Sequence, residues 1–468
     1  MFEIGSKKFV YLIAFICFIS TLVLILLSKG TYDPGDGVQH YLIAKYAIKH
    51  PLLLLDHWGK PIYTLLCMPF AQAGFIGSNI YNLICNVTTS FLAYQIALKM
   101  EFKNAWIAFI LVFFSPLFFM TSFSGLTEPT FALILTASIL LMLNYKYIIA
   151  ALLISFLPFA RTEGFFIIPI FVLYLIMQKQ WKAIVLTGFA SLMYSIIGFF
   201  VLNDFFWILH QNPYKGAIDI YGKGPLMHFV AANDRLFGLP LVVLFIAGCV
   251  SLIMGKSKNN SNYKTFVILL VGSFVVYFVM HSVFWWKGLF GSLGLHRVMA
   301  GVAPLFGVVA LCGYNLIAHF LPHKVYLKKF VLSLIILAVV VYPFKQYRPP
   351  LKPDTEMQVL INTSKWIHAN SISSNHKVYC MYPILAMLLD VDPFNQYKYI
   401  STCMLKYPDF SNALKTDDLI IWDAHFGNEC GFLPEEIAKL SKVKKIATFS
   451  QSNNAKQEFK VVVFKVTN

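Results

Sequence analysis

The sequence predicts a polytopic α-helical membrane protein of about eleven spans, followed by a small soluble α/β domain. Three observations predict it. Of 468 residues, 58% are hydrophobic and only 13% charged, with a mean hydropathy of +0.66, a balance that soluble globular domains do not reach. Apolar runs of membrane-crossing length recur through residues 1–345 and then stop. The charge divides at the same point, with 24 Lys+Arg against 10 Asp+Glu in residues 1–345 and 14 against 12 in residues 346–468. The basic excess belongs to the membrane part, where lipid phosphates and helix orientation account for it. No nucleic-acid-binding motif accompanies it.

Lys7 and Lys8 precede about 20 apolar residues, too long for a cleaved signal core and without a small-residue cleavage site, so a retained first helix is expected. The spans fall near 9–28, 79–98, 105–122, 128–144, 147–160, 164–177, 183–203, 237–254, 265–284, 298–318 and 328–344. Segment 61–76 is just long enough to cross, and charge arbitrates. If it lies along the surface, the N-terminal side holds thirteen lysines, including Lys99, Lys256 and Lys258, and no arginine, a positive-inside pattern. Only Glu3 and Glu101 join them there. Asp33, Asp36, Asp56, Glu128, Glu163, Asp204, Asp219 and Asp234 fall on the other side, with Arg161, Arg235 and Arg297. Mixed charge gathered on one side marks the candidate site, and eleven spans put residues 346–468 there too. With no retention signal evident, the expected setting is a bacterial inner membrane, with site and C-terminal domain outside the cytoplasm.

The first outer loop reads "TYDPGDGVQHYLIAKYAIKHP". After its Pro-Gly turn, Val38, Tyr41, Leu42 and Tyr46 recur at helical spacing, which suits an interfacial helix. Asp36 at its start is either an N-cap or a base held ionised by the helix terminus. Asp33 and His40 lie within a turn of it and are candidate partners in a divalent-metal site. In "DHWGKPIYTLL", Lys60 precedes a proline at a helix start, where it either snorkels or meets an anion. Glu128 opens a span in "SGLTEPTF", and Arg161 and Glu163 occupy the break "ARTEG". Ion pairing of Arg161 with Glu128 or Glu163 is the bland reading of those charges. The loop around Trp207, Tyr214 and Tyr221 carries residue types that stack on sugars or seat at the interface, and "LHRVMAG" brings Arg297 to a span start.

Together, "GDGVQHY", "HWGKPIYTLL", "TEP" and "RTEG" resemble, in order, the GT-C class of membrane glycosyltransferases, with a weaker echo in "LHRVMAGVAPL". The layout is most similar to aminoarabinose transferases and protein O-mannosyltransferases, which use polyprenyl-phosphate-linked sugars. The likeness covers roughly residues 8–200. Two departures stand out: relatives often have adjacent acids where Asp36 is followed by Gly37, and a second proline where Ile62 follows Pro61. The resemblance implies inverting transfer of a sugar from a polyprenyl phosphate to a glycolipid, glycan or protein acceptor on the outer face. It implies catalytic carboxylates among Asp36, Asp33 and Glu128, with Asp33 and Asp36 both eligible as the base. Lys60, Arg161 and Arg297 would bind the donor phosphate, and His57, Glu163, His40 and Tyr221 the substrates. It fixes no cofactor and leaves a divalent metal open. The rival reading is a transporter or flippase for a lipid-linked or anionic solute, which calls for internal repeats that the sequence does not display.

In the C-terminal part, "KVYCMY", "DDLIIWDAHFG", "KKIATFSQ" and "KVVVFKV" read as strands, with helices at 355–369 and 433–440. Asp423 and His425 just past a strand have no nucleophile beside them, so a structural or acceptor-presenting role is expected. Cys380, Cys403 and Cys430 lack metal-ligand spacing and allow one disulfide with one thiol over.

Overall fold

A computed structural model describes residues 5–214, 222–255, 260–322, 324–370, 376–452 and 458–467. Tyr221, with Glu3, Asp219, Lys256 and Lys258 of the charge argument, lies outside the described residues. Helix α1 (Lys7–Leu27) starts where the Ser6 hydroxyl accepts from the Phe9 amide. Then come α2 (Asp36–Tyr46), a short 3-10 turn at Pro51–Leu55, α3 (Pro61–Ala71) and α4 (Phe75–Lys99).

Among the described residues, five helices are long and apolar enough to cross a membrane: Lys7–Leu27, Trp181–Leu202, Tyr263–Lys287, His296–Phe320 and Val325–Gln346. Five shorter apolar helices, of 10–17 residues, accompany them. The Val325–Gln346 helix leaves Phe330, Leu334, Leu337 and Val341 exposed, as a lipid-facing surface requires. The His296–Phe320 helix is almost wholly buried and packs on Leu239–Ile253 through two glycines. A Cβ on Gly313 would stand 1.8 Å from the Leu244 carbonyl oxygen, and one on Gly248 would stand 2.1 Å from that of Val309. Small residues of this kind let membrane helices touch backbone to backbone.

The run 105–122 does not form the single span expected. It breaks after Ile107–Phe113 and restarts as Pro116–Met120, because proline lacks an amide proton and disfavours helix in the residue before it. The carbonyls freed around the break need partners at membrane depth. Helix α4 supplies them. The Asn82 side-chain amide donates to the carbonyl oxygens of Thr121 (3.3 Å), Ser124 (2.7 Å) and Leu126 (3.0 Å). Asn86 donates to the Phe118 carbonyl at 2.8 Å and to the Ser122 hydroxyl at 2.8 Å. These bonds fix the backbone leading to Glu128.

The C-terminal part opens with helix Thr355–Ala369, capped by Asp354 through the Met357 amide at 2.8 Å. Its strands are β1 (Val378–Tyr379), β2 (Tyr399–Ile400), β3 (Leu419–Asp423), β4 (Val443–Ser452) and β5 (Glu458–Val466). They form one sheet in the order β2-β1-β3-β5-β4, with β1 parallel to β2 and β3 and the β3–β5 and β5–β4 pairs antiparallel. Strands β3 and β5 are buried on both faces, so they read as continuous apolar runs. The edge strand β4 exposes Lys444 and Lys445, a guard against further pairing. Cys403 and Cys430 form a disulfide, and Cys380 is a buried free thiol.

This part rests directly on the segment that follows α1. Val38, Tyr41 and Leu42 of α2 and Tyr63 of α3 share one apolar core with Leu360, Ile384, Leu385 and Ile421. Lys45 pairs with Asp390 at 3.0 Å and His50 with Asp392 at 2.9 Å, while the amides of Lys29 and Gly30 donate to the Pro350 carbonyl. Helix α2 is therefore buried nearly all round, not half-immersed in an interface, because helix Pro383–Leu388 covers the face that water would otherwise wet.

Replacing Asn82 by alanine takes a donor from three carbonyls inside the bundle, of which that of Thr121 keeps the Ser124 hydroxyl. Asn82→Ala should lower stability by about 2 kcal/mol or more, read as a fall in the thermal midpoint of the detergent-solubilised protein.

Candidate active site

Asp33 and Asp36 flank the Pro-Gly turn, and the structure divides their work. Asp33 Oδ1 accepts from the Gly37 amide at 2.8 Å, so Asp33 caps α2, and Asp36 makes no capping bond. The Asp36 side chain is 41% exposed, against 13% for Asp33. Both carboxylates accept from the Arg297 guanidinium, Asp33 through Nη1 and Asp36 through Nη2.

Lys60 is the residue before Pro61, at the start of α3, and its backbone lies in the left-handed region at φ 62°. Gly59 packs so tightly on Ile43 of α2 that a Cβ there would meet it at 2.9 Å. The Lys60 side chain is 4% exposed. Its ammonium donates to the His57 carbonyl (3.2 Å), the Thr162 hydroxyl (3.2 Å) and the Tyr214 hydroxyl (2.7 Å). All three partners are uncharged.

Glu128 opens helix Glu128–Leu143 and is fully buried. Its Oε1 lies 2.7 Å from Arg161 Nη1 and 3.8 Å from Arg297 Nε, and Oε2 has no hydrogen-bond partner among the described residues. Arg161 also reaches Glu163 at 2.8 Å and the Thr127 hydroxyl at 3.2 Å. Both ion pairs anticipated for Arg161 are thus present at once. Burial works to raise the Glu163 carboxyl, but Arg161 and His281 beside it prevail and hold it at about 2. Burial, with Lys60 adjacent, pushes His57 down to about 4 and His40 well below its ordinary value, so both imidazoles are neutral at neutral pH.

A cavity of about 380 Å³ collects Asp36, His40, His57, Lys60, Glu128, Arg161, Glu163 and Arg297 along its polar wall. Asp33 stands behind that wall rather than on it. Phe165, Phe166, Phe284, Phe290 and Leu293 form an apolar wall. Thr162, Tyr214 and His281 also line the cavity; the sequence pointed to Tyr214 only as a residue type that stacks on sugars or seats at the interface, and Thr162 and His281 were missed as site residues. For Tyr214 and Thr162 the signal is slight, since their contacts with Lys60 span 154 and 102 residues of chain. Among the described residues no group of three His, Cys, Asp or Glu side chains is placed to hold a metal ion. The proposed Asp33–Asp36–His40 set is not assembled, because Arg297 engages both aspartates and His40 stacks on Trp58 at 4.5 Å between ring centres.

In the C-terminal part, Asp423 Oδ1 accepts from the amides of His425 (3.0 Å) and Phe426 (2.7 Å), capping the turn, and burial pushes its carboxyl up to about 6. The Phe426 ring then stands 3.5 Å from where a Gly35 Cβ would be. Through this contact the C-terminal part touches the turn that carries Asp36.

No family model and no curated protein matches the sequence. Solved structures do. ArnT from Cupriavidus metallidurans bound to undecaprenyl phosphate matches at TM-score 0.61 and 10% identity, over 98% of each chain. The archaeal oligosaccharyltransferase AglB from Archaeoglobus fulgidus, in complex with an inhibitory peptide and a dolichol-phosphate, matches at TM-score 0.56 and 12% identity, over 95% of this chain and 74% of that one. Arabinofuranosyltransferase AftD from Mycobacteria matches at TM-score 0.56 and 10% identity, over all of this chain and 40% of that one. This chain has the GT-C fold. Within that fold the cavity sits where α2, α3 and the 128, 161 and 297 helix ends converge beneath the C-terminal part. The identities are low enough that the likeness speaks for architecture, and the site has to be argued from its own residues.

Arg161→Ala leaves Glu128 buried with its nearest cation removed. Loss of one partner of a buried pair costs about 3–5 kcal/mol, so Arg161→Ala should be strongly destabilised, and adding Glu128→Gln should recover part of the loss. Unfolding curves of the two variants check this.

Proposed function

We propose that this protein transfers a sugar from a polyprenyl phosphate to an acceptor hydroxyl or amine, with inversion at the anomeric carbon. The observation that carries the reading is a buried cation without an ion pair. Of the cavity's three fixed cations, Arg161 and Arg297 are matched by carboxylates, whereas Lys60 has no carboxylate partner among the described residues. A buried ammonium facing neutral oxygens favours an anion beside it. Undecaprenyl phosphate and dolichol-phosphate, bound in two of the similar structures, are anions with long apolar tails. The phenylalanine wall suits such a tail, and the polar wall opposite suits a sugar.

In this reading Asp36 accepts the proton of the acceptor as its oxygen or nitrogen attacks the anomeric carbon. The bond from that carbon to the phosphate oxygen breaks, and its electron pair leaves with the polyprenyl phosphate. Lys60 meets the charge that grows on the leaving group, with Arg161 and Arg297 behind it. Asp33 holds the Asp36 turn, Glu128 orients both guanidiniums, and His40, His57 and Glu163 contact the sugar. Residues 1–345 form an eleven-span membrane domain and residues 346–468 an extracytoplasmic α/β domain, in a bacterial inner membrane, with the cavity open to the outer side. The acceptor is a glycolipid, a glycan or a protein.

Asp36→Asn and Lys60→Ala should each reduce transfer by about 10²–10⁴-fold while the protein still inserts and folds. Mass spectrometry of copurified lipid should find a polyprenyl phosphate on the wild type and less on Lys60→Ala. Wild-type rates in both variants would remove the assignment. Solute movement without any new glycosidic bond would favour a transporter instead.

A further inference from the structure

We infer that Arg297 is a built-in cation, filling with its guanidinium the space among Asp33, Asp36 and Glu128 that would otherwise take a divalent metal ion. Each face of the guanidinium meets a carboxylate: Nη1 meets Asp33, Nη2 meets Asp36, and Nε stands 3.8 Å from Glu128 Oε1. The carboxylates come from three separate segments, yet all lie within reach of one positive group. None is free to swing away. Asp33 is tied to the Gly37 amide, and Glu128 sits at a helix start whose approach is fastened by Asn82. The turn itself is pinned, since a Cβ on Gly125 would stand 2.2 Å from the Gly37 carbonyl oxygen.

Charge counting gives the same result. Asp33, Asp36, Glu128 and Glu163 oppose Arg161, Arg297 and Lys60, and without Arg297 four carboxylates face two cations, of which Arg161 is already shared by Glu128 and Glu163 and Lys60 makes no ion pair among the described residues. Convergent hard oxygens with unbalanced negative charge are what Mg²⁺, Mn²⁺ and Ca²⁺ bind. A guanidinium differs from such an ion in ways that matter here. It cannot exchange, carries one charge rather than two, and holds the aspartates through directed hydrogen bonds. Arg297 thus acts as a positioning residue for Asp36. Its bearing on catalysis rests on the transferase reading above; the cation site itself does not.

The test is titration of the full-length, detergent-solubilised protein with MnCl₂ by calorimetry. Wild type should bind no stoichiometric Mn²⁺. Arg297→Gln should bind one per chain, at least about tenfold more tightly than any wild-type binding, as ligand charge count governs such affinities. Arg297→Lys, which restores a positive charge, should not gain the ion, and Arg297→Gln combined with Asp36→Asn should lose it. Thermal unfolding with and without Mn²⁺ gives a second readout, with Arg297→Gln stabilised by the ion and wild type unmoved. Stoichiometric Mn²⁺ on wild type that Asp36→Asn abolishes would overturn the inference, as would an Arg297→Gln protein that gains neither binding nor thermal stability from Mn²⁺. Loss of sugar transfer in these variants bears on the proposed reaction alone.

Discussion

The structure depends on one chain of alternating charges held at the ends of its helices. It runs from Asp33 and Asp36 through Arg297 to Glu128, then through Arg161 to Glu163. No member is stable alone in that setting, because an unpaired charge removed from water costs several kcal/mol. Each member therefore fixes the segment that carries it: the loop between α1 and α2, the start of the 128 helix, the break at 161–163 and the start of the 296 helix. The cavity is the space these segments enclose. Its geometry follows from electrostatic pairing between helix ends and not from any single secondary-structure element.

The network restricts the relative motion of the segments it joins. It also directs attention to what is left unpaired. Lys60, which makes no ion pair among the described residues, Glu128 Oε2 and the exposed side of Asp36 are among the cavity groups with capacity remaining, along with Arg161 Nε and the Nδ1 atoms of His40 and His57. They line one cavity, whose lining also includes Phe165, Phe166, Phe284 and Phe290. One cation, two carboxylate faces and an apolar wall form a small vocabulary, and it suits an amphiphile whose charge lies beside its tail.

Much of this was legible in the sequence because charge in an apolar chain has few explanations. Asp36, Lys60, Glu128, Arg161, Glu163 and Arg297 stood out against hydrocarbon, and they line one cavity. The GT-C likeness lay in the order of four short motifs. The strands around Ile421 and Val463 were legible too, as unbroken apolar runs. What could not be read depends on contacts between distant segments. Asn82 and Asn86 looked like polar interruptions of a span, although their spacing of four places both on one helix face toward the broken segment they fasten. The division of labour between Asp33 and Asp36 was hidden, because either could cap α2 and only the fold says which one does. The covering of α2 by the C-terminal part gives no local signal at all. Strand β2, two residues long, is defined by its neighbour rather than by its own composition.

Lys60 shows how backbone and side chain argue together. A left-handed conformation costs a side-chain-bearing residue roughly 1 kcal/mol or more, and glycine would adopt it freely. The conformation itself is imposed from both sides, by the close packing of Gly59 on Ile43 and by Pro61 opening α3. A lysine at that point therefore carries strain that glycine would relieve, and it buries an ammonium with no carboxylate beside it among the described residues. Two costs fall on one residue, and its three hydrogen bonds to neutral oxygens and its place over the Tyr214 ring, 4.7 Å from the centroid, offset the burial without pairing the charge. A snorkelling anchor would need neither burial nor strain, since it works by reaching water. Burial and backbone thus set Lys60 apart from a snorkelling anchor, and the anion binding proposed above would supply the ion pair it lacks among the described residues.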